Sequence, residues 1–404
     1  MKSSIKIPKS IWALGFVSLF MDVSSELIHS LMPIFMVTTL GVSVTAVGVV
    51  EGIAEATALL TKIVSGTLSD YLGKRKLLTL IGYGLAAITK PLFPLADSLG
   101  LVLASRFLDR VGKGIRGAPR DALIGDIAPA EIRGACFGLR QSMDTVGAFI
   151  GPLLAMLFLF VFAGHIRAVL WVAVLPAFIS LAILAFGVRE PKNSRPAGEI
   201  RVPIRFRDVR RFGKPYWQLV AIAGVLTLAR FSEAFLILKA QAIGLPLVLV
   251  PMVMVVMNIV YALAAYPAGV LSDRINRINI LLVGVAFLVA ASLVLVVANG
   301  PWMLMLGVSL WGIHLGLTQG LFAAMIVDAT PAELRGTAFG MFNFVSGIAM
   351  LVASVVAGVL WDRYGAGATF LAGAIFAGIA LVGLAFRRVP WSRNQQPQSG
   401  PPRV

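Results

Sequence analysis

Ionisable residues interrupt otherwise apolar stretches of this chain in groups spaced to share one face of a helix. Asp22, Glu26 and His29 stand at i, i+4 and i+7; Glu51, Glu55 and Lys62 share a second face; Arg140 and Asp144 lie one turn apart; Arg230 and Glu233 form a further group. An ionised side chain at the centre of a bilayer costs about 2.5–3.5 kcal/mol on insertion scales, so such residues point by default to a path for ions or solute. A carboxylic acid balanced between burial and a nearby Arg can load and release a proton, and competition between proton and substrate for one acid gives antiport. The competing reading of Asp22, Glu26, Glu51 and Glu55 is a structural ion pair with Lys62, Arg140 or Lys90. His29 and His314, each alone on a helical face, read as packing residues. Gln319, Asn258 and Asn343 fit interhelical hydrogen bonding as well as substrate contact.

These groups must be carried by membrane spans. Of the 404 residues, 58% are hydrophobic and 13% charged, too apolar a balance for a water-soluble domain. At about 20 residues per span, this length holds roughly twelve helices and leaves little for a soluble catalytic domain. The apolar runs lie at about 11–38, 44–67, 76–95, 99–118, 136–162 and 167–187, then 216–241, 247–271, 278–298, 301–324, 336–360 and 367–386. Residues 1–10 are short and basic and lead into a retained first span rather than a cleaved signal peptide. The net charge of +16 arises from bases between spans, not from one basic face, so it excludes a nucleic-acid partner and marks topology instead. Lys74, Arg75, Lys76, Arg120, Arg133, Arg274, Arg277, Arg335, Arg387 and Arg388 fall on one side, which places both termini in the cytoplasm. Cys136 is the only cysteine, so neither an intrachain disulfide nor a multi-cysteine metal site can form, and no cofactor is expected.

The organisation is duplicated. Gly66-Thr67-Leu68-Ser69-Asp70 returns as Gly269-Val270-Leu271-Ser272-Asp273, 203 positions on. Asp126-Ile127-Ala128-Pro129-Ala130-Glu131-Ile132-Arg133-Gly134 returns as Asp328-Ala329-Thr330-Pro331-Ala332-Glu333-Leu334-Arg335-Gly336, 202 positions on. The chain is therefore read as an all-α membrane protein of twelve transmembrane helices in two pseudo-symmetric six-helix bundles, residues 1–188 and 215–390. A basic cytoplasmic linker, 189–214, joins them, and a disordered tail, 391–404, follows. Ser232-Glu233 is the candidate counterpart of Ser25-Glu26.

The run from Gly66 to Lys76 resembles the loop signature between helices 2 and 3 of the major facilitator superfamily, and the resemblance extends over the whole chain. In that family the loop is a gate brace, a role that passes to Gly66, Asp70, Gly73 and Arg75. The second copy, with Asp273 and Arg274, has Asn276 where the first has Gly73. Arg106-Phe107-Leu108-Asp109-Arg110-Val111-Gly112-Lys113-Gly114 is similar to the helix-4 signature associated with proton coupling; Arg110 holds the matching position and Lys113 replaces the usual Gln. Arg106, Arg110 and Lys113 share one helical face, as coupling groups or as partners of Asp109 and Asp121 at the cytoplasmic mouth. Gly147-Ala148-Phe149-Ile150-Gly151-Pro152 partly matches the helix-5 signature of exporters. The stretch Arg110 to Ala122 resembles a little-characterised prokaryotic subgroup.

The resemblance implies that helices 1, 4, 7 and 10 line a central cavity, which directs Asp22, Glu26, Arg110, Arg230 and Glu233 toward it, with Glu51, Glu55, Arg140 and Asp144 as further coupling candidates. The expected function is secondary active transport by alternating access: proton-coupled efflux of a small organic or cationic solute across the cytoplasmic (inner) membrane, by a monomer. The alternatives are a symporter importing a small organic anion through Arg110 and Arg230, and a membrane sensor that does not transport. No nucleophile triad, phosphate loop or metal cluster points to an enzyme.

Overall fold

A computed structural model describes residues 6–72, 74–190, 211–272, 274–331 and 334–385. Among them, eleven segments are long and apolar enough to cross a membrane: α1 (Lys9–Thr39), α2 (Val44–Leu72), α3 (Arg75–Leu95), α5 (Ala130–Val161), α6 (Ile166–Gly187), α7 (Lys214–Ala242), α8 (Leu247–Ser272), α9 (Arg277–Val297), α10 (Pro301–Asp328), α11 (Arg335–Tyr364) and α12 (Ala366–Ala385). The twelfth, α4 (Leu99–Ile127), is long enough, but its run of charges sets it apart from the others in hydropathy. It reaches nine residues beyond the span expected at 99–118. Most of the expected linker (191–210) and the whole expected tail lie outside the described residues.

The packing map states the duplication physically. In the first half α1 lies against α5 and α6, α4 against α2 and α3, and α3 against α6. In the second half α7 lies against α11 and α12, α10 against α8 and α9, and α9 against α12. Every one of these neighbours recurs six helices later. The protein is thus a pair of pseudo-symmetric six-helix bundles.

Small residues set how closely the helices approach. Between the halves, a Cβ on Gly52 would stand 3.0 Å from the Leu351 Cα, and one on Gly358 would stand 2.7 Å from the Thr45 Cα, so α2 and α11 touch backbone to backbone. A second seam joins α5 to α8, where the Asn258 side-chain amide donates to the Ala148 carbonyl at 3.1 Å. These contacts run from the face remote from the termini to mid-membrane.

α7 is broken at an ionisable pair. α7 stops at Ala229, passes through Arg230 (φ −111°, ψ 68°), and restarts at Ala234. The break falls on the ionisable pair Arg230 and Glu233.

Candidate functional site

The charge of the first half is organised by α4, and two glycines flanking Lys113 explain how. A Cβ on Gly112 would stand 2.7 Å from the Gly82 carbonyl on α3, and one on Gly114 would stand 2.5 Å from the Thr61 Cβ on α2. α4 is clamped between its neighbours, close enough for side chains to pair across both contacts. Lys113, between the two glycines, stays exposed.

The α2 face of α4 forms a two-rung ladder. Glu51 and Glu55 are four residues apart on one helix, Arg106 and Arg110 four apart on the other, and the helices run parallel, so the rungs match in order. Arg106 binds both carboxylate oxygens of Glu51, with Nη2 at 2.5 Å from each and Nε at 3.1 Å from Oε1; the side chains are 2% and 0% exposed. Such a dry bidentate pair is fixed by geometry and leaves no room for a solute. One turn on, Arg110 meets Glu55 at 3.2 Å, and Glu55 keeps 32% of its side chain accessible. The first rung is sealed from solvent, and the second borders space that solvent enters. On the opposite face Lys90 of α3 binds Asp109 at 2.8 Å and donates to the Ser25 hydroxyl at 3.0 Å.

α1 brings its acids to the same level. Gly147 and Gly151 of α5 let α1 come close: a Cβ on Gly147 would stand 3.0 Å from the Asp22 Cβ, and one on Gly151 would stand 2.9 Å from the Glu26 Cβ. The Gly-Pro segment therefore positions the acidic face of α1. His29 lies between two carboxylates, its Nδ1 3.5 Å from Glu26 and its Nε2 4.0 Å from Glu51. Glu26 is 22% accessible, so the chain Glu26, His29, Glu51 and Arg106 runs from a wet end to a dry one. Asp22 makes no hydrogen bond or ion pair among the described residues and interacts electrostatically with Asp144, Arg116, Lys113 and Arg120.

A second network lies further toward the terminal face. Arg140 pairs with Asp144 one turn away and approaches Asp121 at 3.8 Å. Arg120 reaches Asp121 at 3.3 Å, Asp144 at 4.0 Å, the Ser18 hydroxyl at 2.9 Å and the Tyr83 hydroxyl at 3.3 Å. It binds α1, α3, α4 and α5 into one unit.

The second half presents fewer charges. Arg230 and Glu233 flank the α7 break without forming an ion pair, and Arg230 is within electrostatic reach of Glu55, whereas Glu233 is within reach of Glu26 and His29. The two halves thus face one another through these groups. His314 bonds the Gly284 carbonyl through Nδ1 at 2.8 Å and is buried, as a packing residue should be.

The structure revises several sequence expectations. Lys62 has no described ion pair with Glu51 or Glu55, because their partners are on α4. Asp109 and Asp121 do not pair with Arg106 or Arg110; Lys90, Arg120 and Arg140 take them. Glu51 is sealed from solvent. His29 is buried, as a packing residue should be, and also stands 3.5 Å from Glu26 and 4.0 Å from Glu51. Among the gate residues, Gly73, Asp273 and the Asp70 side chain lie outside the described residues. A Cβ on Gly66 would stand 3.5 Å from the Ala118 Cβ, an ordinary contact. Arg75 binds Asp126 at 2.5 Å and the Ala122 carbonyl at 2.8 Å, tying α3 to α4 within one half. Arg274 is exposed; the counterpart of the Arg75 brace is Arg277, which pairs with Asp328 exactly where a 202-residue offset puts it, while Asn276 caps α9 by accepting from the Ile278 amide. Matching four-residue spacings on α2 and α4 carried a signal for the ladder, but nothing local marked the break in α7.

Comparison with known proteins fits this architecture. The family model of the Major Facilitator Superfamily matches residues 14–354. An uncharacterized MFS-type transporter of Methanocaldococcus jannaschii is 32% identical over 388 residues, 94% of this chain and 95% of its own. An uncharacterized protein of Mycobacterium tuberculosis is 28% identical, covering 86% and 85% respectively. Among solved structures, the D323A mutant of the nucleoside transporter NupG superposes with a TM-score of 0.79 over 93% of this chain and 98% of that one, at 12% identity. The chain belongs to the Major Facilitator Superfamily and is a multi-pass membrane transporter.

Proposed function

We propose that this protein is a secondary active, proton-coupled exporter of a small organic or cationic solute, working by alternating access in the cytoplasmic membrane with both termini in the cytoplasm. Glu26 carries the reading: it is a carboxylate at mid-membrane, partly open to solvent, with His29 3.5 Å away standing between it and a sealed ion pair. Protonation of Glu26 removes the charge that holds a cationic solute, so proton and solute compete for one site. Glu55 adds negative charge nearby, and Arg110 and Arg230 limit how many protons the site takes. Rocking of the two halves about the α2–α11 and α5–α8 seams exposes the site to each side in turn.

The test uses proteoliposomes loaded with a pH-sensitive dye and challenged with a panel of organic cations, tetraphenylphosphonium and ethidium among them. Cation movement opposite to the proton flux is expected, and Glu26→Gln reduces it at least about tenfold while leaving the folded fraction unchanged. Proton movement in the same direction as the solute would overturn export and favour the rival symporter of an organic anion, for which Arg230, with no ion pair among the described residues, is the specific anchor.

A further inference from the structure

The first-turn amides of α2 find a partner in the other half of the molecule. A helix leaves its initial N–H groups without intrahelical acceptors, and these are met by a side chain, by water or by a ligand. In α2 the Val44 amide donates to Asp362 Oδ1 at 3.1 Å and the Thr45 amide to Asp362 Oδ2 at 2.8 Å, with the Thr45 hydroxyl donating to the same oxygen at 2.6 Å. The Ala46 amide turns instead to the local Ser43 hydroxyl at 3.2 Å. Asp362 belongs to the last turn of α11, so α2 is capped from across the seam.

Three features make this contact more than an ordinary cap. Its carboxylate meets the positive end of a 29-residue helix with three donors at once, which is a charge-assisted arrangement. It stands at the rim of the face remote from the termini, where Gly358 already brings α11 against the Thr45 backbone, so its geometry holds only while that face is shut. It also has no symmetric twin. The 202-residue offset puts Phe160 opposite Asp362, and at the corresponding rim a Cβ on Gly164, just past α5, would stand 3.7 Å from the Leu247 side chain.

We propose that Asp362 is a gate latch: by capping α2 from α11 it holds the two halves together at the face remote from the termini, and its release is part of opening that face. This rests on the alternating-access reading above. Separation of the halves strips three donors from one exposed carboxylate, and water replaces them, so the contact biases the equilibrium without locking it. Thr45 supplies the side-chain donor, and Gly358 supplies the close approach.

Spin-label distances test it on the full-length protein in lipid nanodiscs, with Cys136→Ser as background. One pair, Ser98→Cys with Asn299→Cys, spans the remote face; the other, Arg133→Cys with Arg335→Cys, spans the terminal face. Asp362→Ala is expected to change the open-to-closed ratio at the remote face at least about fivefold, with matching closure at the other pair. Asp362→Asn gives a smaller shift and Thr45→Val the smallest. Gly358→Trp, a wedge in the same seam, serves as control. If the wedge opens the remote face and Asp362→Ala does not, the latch is overturned while alternating access stands. If neither folded variant moves either pair, alternating access itself fails and takes the latch with it. Should Asp362→Ala not fold, unchanged distances in both Asp362→Asn and Thr45→Val overturn the proposal.

Discussion

At the repeat offset of 202, the α4 residues Arg106, Asp109, Arg110, Lys113 and Arg116 correspond on α10 to Val308, Trp311, Gly312, Leu315 and Thr318. Their partners change in step: Glu51 and Glu55 of α2 become Val253 and Met257 of α8, and Lys90 becomes Ser292. The backbone contacts persist. Gly82 admits residue 116 as Gly284 admits residue 318, and Gly114 meets α2 as Gly316 meets α8, where a Cβ would stand 2.7 Å from the Ala264 Cβ. One packing scheme thus carries a charged interior in the first half and an apolar one in the second. Glycine-mediated approach recurs in both, so that packing does not require the buried ion pairs, and their presence between α2, α3 and α4 alone points to a task beyond stability.

The largest effect expected from this contrast comes from breaking the first rung. Arg106→Val alone leaves Glu51 buried with only His29, 4.0 Å away, to meet its charge, a loss of about 3–5 kcal/mol in unfolding free energy, whereas Glu51→Val with Arg106→Val copies the second half and recovers most of it. Chemical unfolding in detergent measures both; a double variant no better than the single would show that the ladder builds the fold. Next, Gly82→Val and Gly284→Val overpack equivalent contacts and should each destabilise by about 1–3 kcal/mol. A large inequality between them would mean that the halves do not share one scheme. His314→Leu removes a single buried hydrogen bond, so a loss of roughly 0.5–1.5 kcal/mol with unaltered solute flux is expected. A flux defect in an intact protein would give the apolar half a role in coupling. The smallest change belongs to the braces: Arg75 with Asp126 and Arg277 with Asp328 are part-exposed pairs, and Arg75→Gln or Arg277→Gln should each shift stability by less than about 1 kcal/mol.

The helical framework was legible because lipid demands long apolar runs and because Asp126 to Gly134 returns as Asp328 to Gly336 with its Pro, Glu, Arg and Gly in register. The buried ionisable residues were legible too, since an ionisable residue in an apolar span stands out whatever its neighbours. The pairing was not. Whether Glu51 meets Lys62 on its own helix or Arg106 on another depends on which glycines let helices approach, and Gly112 and Gly114 act on two different neighbours. The α7 break had no local signal either: Arg230-Phe231-Ser232-Glu233 lacks both Gly and Pro, and the Ser232 amide is met by the Ser354 hydroxyl of α11 at 3.3 Å, a partner visible only in three dimensions.

The polarity of α4 also bears on how the protein enters the membrane. Left alone among acyl chains, a segment with Arg106, Asp109, Arg110, Lys113 and Arg116 is a poor candidate for insertion, each charge opposing it by about 2.5–3.5 kcal/mol near the centre. Yet Glu51, Glu55 and Lys90 precede it in the chain, so its counter-ions are synthesised before it emerges. The counter-ions are thus in place before α4 needs them, and a chain rearranged to make α4 before α2 and α3 is expected to insert α4 less efficiently.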